Sequence, residues 1–163
     1  MKPRAKRLAE ERVAEWVRSV ALHTKPRATH WCDGTEAEAS RLEAEMVYRR
    51  SLIPLDADRF THCFLYRSDP SDVACCSEHL TFVFSDARED AGPTNNWMSP
   101  SDATRAVWPL FDGSMIGRTM YVVPYLLGPL RSPHTWVGRL VTDSLYAVLN
   151  LRLITRSMSA AST

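Results

Sequence analysis

Two stretches decide how this chain is read: Asp90-Ala91-Gly92-Pro93-Thr94-Asn95-Asn96-Trp97-Met98, and Gly117-Arg118-Thr119-Met120-Tyr121-Val122-Val123-Pro124. In the first, Gly92 frees the backbone and Pro93 fixes it. Asn95 and Asn96 have the side chains that lock a turn by bonding the main chain, and Trp97 anchors it. Taken by itself it is a rigid, well-packed loop rather than a chemical centre. In the second, Thr119 to Val123 is β-branched and apolar enough for a buried strand, with Pro124 expected at its end or on an edge.

Outward from these segments, helical and strand signals mix. Thr81 to Phe84 reads as a strand. Ser99-Pro100-Ser101-Asp102 offers a cap, a proline at the first helical position and an early carboxylate, so a helix is expected to Leu110. Near the start, Leu8, Val13, Trp16, Val17 and Val20 stripe one side of a helix from Arg4 to Leu22, which should pack through Trp16 and Val20. Lys6, Glu10, Glu11 and Glu15 make its solvated face. Pro26 ends it, because the residue before a proline is pushed out of the α region.

His30-Trp31-Cys32-Asp33-Gly34 reads as a loop, and Thr35-x-x-Glu38 as a capping box. The helix it opens should run from Glu36 to Arg49 and bury Ala39, Leu42 and Met46. Leu52 to Leu55, broken at Pro54, and Phe64 to Tyr66 are short strand-like pieces, and Ser68 to Asp72 has turn chemistry. Leu127 to Pro133 is a loop and Val137 to Val141 a strand. Thr142-Asp143-Ser144 caps the segment from Leu145 to Arg156, where period alone does not separate helix from strand. Length and caps favour a buried helix. Residues 1–156 are thus expected to form an α+β or irregular α/β domain, followed by a frayed tail at 157–163.

Composition bounds the partners. The 163 residues carry 20 Lys plus Arg against 19 Asp plus Glu, a net charge of +1, which gives no electrostatic case for nucleic acid or an anionic membrane. The apolar run at Leu145 to Ile154 is interrupted by Asn150 and Arg152 and is about half the length of a membrane span. The basic start at Met1 to Arg7 is followed by Glu10, Glu11, Arg12 and Glu15 where a signal peptide has its apolar core, so a cytoplasmic protein is expected. The cysteines Cys32, Cys63, Cys75 and Cys76 are read as reduced thiols.

Chemical motifs are sparse. His62-Cys63 and Cys75-Cys76-x-x-His79 hold the atoms of a zinc site, but no C-x-x-C pair exists and adjacent cysteines rarely share one ion. Inert thiols are the simpler reading. The histidines His23, His30, His62, His79 and His134 are scattered, and no nucleophile elbow or metalloprotease helix is present. Six glycines include no phosphate-cradling loop, so no nucleotide site is expected within these residues.

The assembled motifs resemble one family. His30 to Gly34, Arg67-Ser68-Asp69-Pro70 with Asp72-Val73-Ala74, DAGPTNNWM at 90–98, GRTMYVVP at 117–124, Gly128-Pro129, Ser132-Pro133, Thr142-Asp143-Ser144 and Thr155-Arg156 are similar to the GTP-dependent phosphoenolpyruvate carboxykinases, from about residue 8 to residue 156. The resemblance implies the amino-terminal part of that fold. It also implies conversion of oxaloacetate and GTP to phosphoenolpyruvate, carbon dioxide and GDP, with manganese and with GTP-bound magnesium. Cationic groups and metal stabilise the enolate and the transferring phosphate in such chemistry.

By the same resemblance, the manganese ligands, phosphate loop, guanine pocket and lid of the family lie beyond this sequence. No cofactor is therefore expected for these residues alone. The family's substrate-clamping arginine, in Asp-Val-Ala-Arg, corresponds to Cys75. A thiol cannot supply the charged, bidentate fork a carboxylate takes from arginine. Ser114 stands at a usual cysteine and Arg131 at a usual glycine. Three expectations follow. The first is an amino-terminal, substrate-side part of a carboxykinase, inactive alone and lacking its carboxy-terminal half. The second is a non-catalytic interaction or regulatory module pairing with a complete carboxykinase or a complementary chain. The third is a zinc fold on Cys63, Cys75, Cys76 and His79.

Overall fold

A computed structural model describes residues 3–68, 78–129, 132–154 and 156–157. In chain order the elements are α1 (Pro3–Thr24), β1 (Ala28–Trp31), α2 (Glu36–Tyr48), β2 (Leu52–Pro54), β3 (Phe64–Tyr66), β4 (Phe82–Phe84), β5 (Asn96–Met98), α3 (Pro100–Val107), β6 (Thr119–Leu127), β7 (Trp136–Thr142), α4 (Leu145–Ile154) and β8 (Arg156–Ser157). The α+β class expected from the sequence is what forms. The chain divides into two compact units, one of residues 1–66 with 115–163 and one of residues 67–114.

The larger unit is built on β6. It pairs in parallel with β1 and in antiparallel fashion with β7 along one edge, and β8 continues the other edge beyond β1. Alternation along β6 sends successive side chains to opposite faces. Met120 and Val122 join Val17 of α1, with Val13, Val20 and Ala21 packed round them. Tyr121 and Val123 join Leu42 and Met46 of α2 and Leu145 and Val148 of α4. The strand is therefore covered on both sides, and this is why it reads as a nearly unbroken apolar run. Each fully buried aliphatic side chain contributes about 1.5–3 kcal/mol of hydrophobic stabilisation.

Several expectations need correction. Trp16 is 44% exposed, and the helix packs through Val17, 3% exposed and one position further round, together with Val20 as expected. The segment read as a loop at His30 contributes His30 and Trp31 to β1, because pairing with β6 supplies hydrogen bonds that local sequence does not foretell. Pro124 lies inside β6, not at its end. The carbonyl of Val122 accepts from Cys32 N on the β1 side at 2.9 Å, so two residues on the nitrogen of Pro124 points the same way. Among the described residues β1 has ended at Trp31 by this point and β8 pairs only at Tyr125 and Leu126, so none of them takes an N–H from position 124. The helix from Pro100 turns into a 3-10 segment at Trp108–Phe111 after Val107. Finally, α4 is a helix but not a buried one: only Leu145 and Val148 are buried, while Leu153 is 83% and Ile154 77% exposed.

In the smaller unit β4 pairs in parallel with β5, and the chain between them makes a 3-10 turn at Arg88–Ala91. Ser99 caps α3 as its sequence indicates, accepting from Asp102 N at 3.2 Å and donating to Asp102 Oδ2 at 2.7 Å.

Candidate functional site

The larger unit concentrates polar groups in the turn from His30 to Glu38. Thr35 Oγ1 accepts from the Glu38 amide at 3.1 Å, as a capping box requires. The Glu38 carboxylate does not return to the Thr35 amide, which is taken by Asp33 Oδ1 at 2.8 Å. It reaches further back: Oε2 accepts from the amides of Asp33 at 3.1 Å and Gly34 at 2.9 Å. Its Oε1 lies 2.6 Å from His30 Nε2. An ionised carboxylate only accepts, so the ring donates from Nε2. Glu38 is 6% exposed, whereas the His30 side chain is 34% exposed and Asp33 and Thr35 face solvent. Gly34, at φ 73°, takes the left-handed backbone that brings its amide round.

Neighbouring groups respond to that charge. Burial, and then the negative charges of Glu38 and Asp33, push the Cys32 thiol up to about 12. Hydrogen bonding from Thr35 holds the Asp33 carboxyl below its ordinary value. The His30 ring sits edge-on to Tyr121 with centroids 5.7 Å apart.

Among the described residues, His30, Cys32 and Glu38 are the one group of His, Cys and carboxylate side chains close enough to share a cation, with ligand atoms within 4.8 Å of one another. They do not suit one. Both Glu38 oxygens are engaged by the turn amides and the His30 ring, and the Arg41 guanidinium stands 3.4 Å from His30 Nε2. The cluster serves as a structural lock of the turn.

In the smaller unit, the Asp90 to Met98 turn is locked by amides. Asn95 Nδ2 donates to Ala91 O at 2.7 Å and Asn96 Nδ2 to Thr81 O at 3.1 Å. Trp97 Nε1 donates to Ser85 O at 3.0 Å, with Ser85 Oγ at 3.1 Å. Gly92, at φ 78° and ψ 170°, holds a backbone that glycine alone adopts readily. The rigid, tryptophan-anchored loop read from sequence is therefore present, down to its hydrogen bonds.

A groove of about 860 Å³ opens in the larger unit between α2, the β2–β3 hairpin and α4. Tyr66 and Tyr146 stack in it at 3.8 Å and 11°. Arg152 gives Nη2 to Glu36 Oε1 at 2.7 Å, while its buried Nη1 has no hydrogen-bond partner among the described residues. Elsewhere in the unit Arg118 pairs with Asp143 at 2.7 Å, joining the start of β6 to the cap of α4.

Comparison with known proteins bears on all of these segments. Residues 15–163 match the family described as the phosphoenolpyruvate carboxykinase N-terminal domain. The chain belongs to this family. A protein named phosphoenolpyruvate carboxykinase (GTP) from Anaeromyxobacter dehalogenans is 48% identical over 154 residues, covering 94% of this chain and 26% of the relative. Proteins of the same name from Renibacterium salmoninarum and Chlamydia felis are 42% and 39% identical, over 90% and 91% of this chain and 24% and 25% of their own length. The chain thus spans about a quarter of the length of the curated relatives it matches.

Within that carboxykinase framework, the predicted substrate position Cys75 and its neighbour Cys76 lie outside the described residues, as does Arg131. Of the other two proposed zinc ligands, Cys63 is an exposed free thiol and His79 is exposed. No helix among the described residues is long and apolar enough to cross a membrane. Sequence reasoning missed the His30–Glu38 pair and the groove around Arg152. The first had a signal in Thr35-x-x-Glu38. The second had only a lone arginine in an apolar helix, which marks no particular neighbour.

Proposed function

We propose that these 163 residues are the amino-terminal, substrate-side part of a GTP-dependent phosphoenolpyruvate carboxykinase and do not catalyse by themselves. The extent of the match carries this reading: 48% identity along 94% of the chain, but only 26% of the relative. In the complete enzyme the reaction is decarboxylation of oxaloacetate with phosphoryl transfer from GTP, yielding phosphoenolpyruvate in gluconeogenesis. Manganese and GTP-bound magnesium belong to the remainder of such an enzyme, and the poor fit of His30, Cys32 and Glu38 to a cation supports assigning no metal to these residues. The cytoplasm is the expected compartment, on the reading of the cysteines as reduced thiols.

Within this reading Cys75 stands at the substrate clamp and weakens carboxylate binding, since a neutral thiol replaces a guanidinium. The purified chain, given oxaloacetate, GTP and manganese, should form no phosphoenolpyruvate above a blank, and clear turnover would overturn the proposal. In a chimera where these residues replace the matching part of the A. dehalogenans protein, Cys75→Arg should raise kcat/KM for oxaloacetate. An unchanged value removes the clamp assignment.

A second reading is favoured by the outward apolar residues of α4: a non-catalytic module that pairs with a complete carboxykinase or a complementary chain. Co-purification with such a partner supports it, and a monomer that shows no binding by calorimetry counts against it.

A further inference from the structure

We propose that the groove between α2, the β2–β3 hairpin and α4 is the seat of the chain that follows this domain in a carboxykinase, and that its occupant is an apolar segment presenting a neutral oxygen to Arg152. The inference rests on the functional reading above.

Three observations lead to it. The floor is already part of the core, since Ala39, Met46 and Leu52 line it and are buried. The walls are open and mix polar with apolar groups: Leu153 is 83% exposed and Tyr146 on the stacked pair 41% exposed, with His62 and Asn150 beside them, and Ile154, 77% exposed, follows Leu153 outside the lining. Contiguous exposed apolar surface of this kind marks an interaction site. The relatives, moreover, are about four times as long as the part matched here. The matched region runs through α4 and β8 to residue 163, and the last turn of α4 forms the rim of this groove.

Arg152 sets the chemistry of the occupant. Its side chain is 15% exposed, and Nη1 is a buried donor without an acceptor among the described residues. A buried N–H is normally paired, so the complete assembly should bring an oxygen to it. Glu36 already balances the guanidinium charge, and Glu43 adds a negative charge to the lining. A further carboxylate would meet that charge, so a backbone carbonyl or side-chain amide oxygen fits better.

Hydrogen exchange on the isolated chain and on the A. dehalogenans chimera tests the proposal. Amides of residues 64–66 and 145–154 should exchange at least about tenfold more slowly in the chimera. Leu153→Asp should abolish that protection in the chimera and leave the melting of the isolated chain unchanged. Equal exchange in both proteins, or equal effects of Leu153→Asp in both, would overturn the proposal. So would protection of the isolated chain that rises with its concentration, which assigns the face to a second copy. Turnover is read separately, in the chimera that also carries Cys75→Arg: protection without turnover defeats the functional reading and leaves the groove, whereas turnover without protection does the reverse. Should the chimera be insoluble, the remainder of the relative is co-expressed as a separate tagged chain. Its capture of the wild-type chain and not of Leu153→Asp supports the proposal, and failure to capture either counts against it.

Discussion

The turn at His30–Glu38 and the turn at Asp90–Met98 solve the same problem with different chemistry. Each holds an irregular backbone by side-chain bonds and a positive-φ glycine. The first uses one buried carboxylate that accepts from two amides and an imidazole. The second distributes the task over two asparagines and an indole, all neutral. A charge-assisted hub holds more per bond but fails as a unit, because removing it orphans three donors together. A distributed neutral lock loses one bond at a time.

The sharpest way to break the comparison is Glu38→Ala, which should destabilise the chain by about 3 kcal/mol in urea unfolding, with Glu38→Gln recovering part of the loss. A loss no larger than that of Asn95→Ala would mean that the charge does not distinguish the turns. Gly92→Ala comes next, at about 2 kcal/mol, since its φ of 78° and ψ of 170° strain any side chain. The readout is faster exchange confined to the smaller unit. Trp97→Phe keeps most of the apolar ring and removes one donor, so about 1 kcal/mol is expected.

The smallest effect is on pH dependence. Burial raises the folded Cys32 thiol from 9.0 to about 12, so the unfolded chain releases its proton first as pH rises. The thiol's contribution is complete below 9.0, and it is lost as pH climbs toward about 12. At half a pH unit above 9.0 the loss is less than about 1 kcal/mol, measurable as an alkaline slope that Cys32→Ala removes. The bonds of the amide lock contain no titrating group, and exchange at Trp97 should show no matching slope.

Local chemistry explains what was legible. Thr35, Ser99, Gly92, Asn95 and Trp97 act through atoms within a dozen or so residues, and their roles follow from side-chain geometry. The same holds for Leu42 and Met46, whose spacing alone places them on one helical face. Trp16 shows where that reasoning fails. The stripe contains both Trp16 and Val17, and only the position of the sheet decides which of them is covered.

By itself the sequence determined the capped helices, the two locked turns, the apolar strand at Thr119 to Val123 and, through its motifs, the carboxykinase family. Tertiary structure alone decided that His30 lies in a strand, that Pro124 sits inside β6, that Glu38 is a buried hub and that α4 leaves one side open beside Arg152. The physical reason is range. Capping and turn chemistry act within a few residues, whereas burial and strand pairing depend on segments about ninety positions apart, such as Ala28 and Thr119.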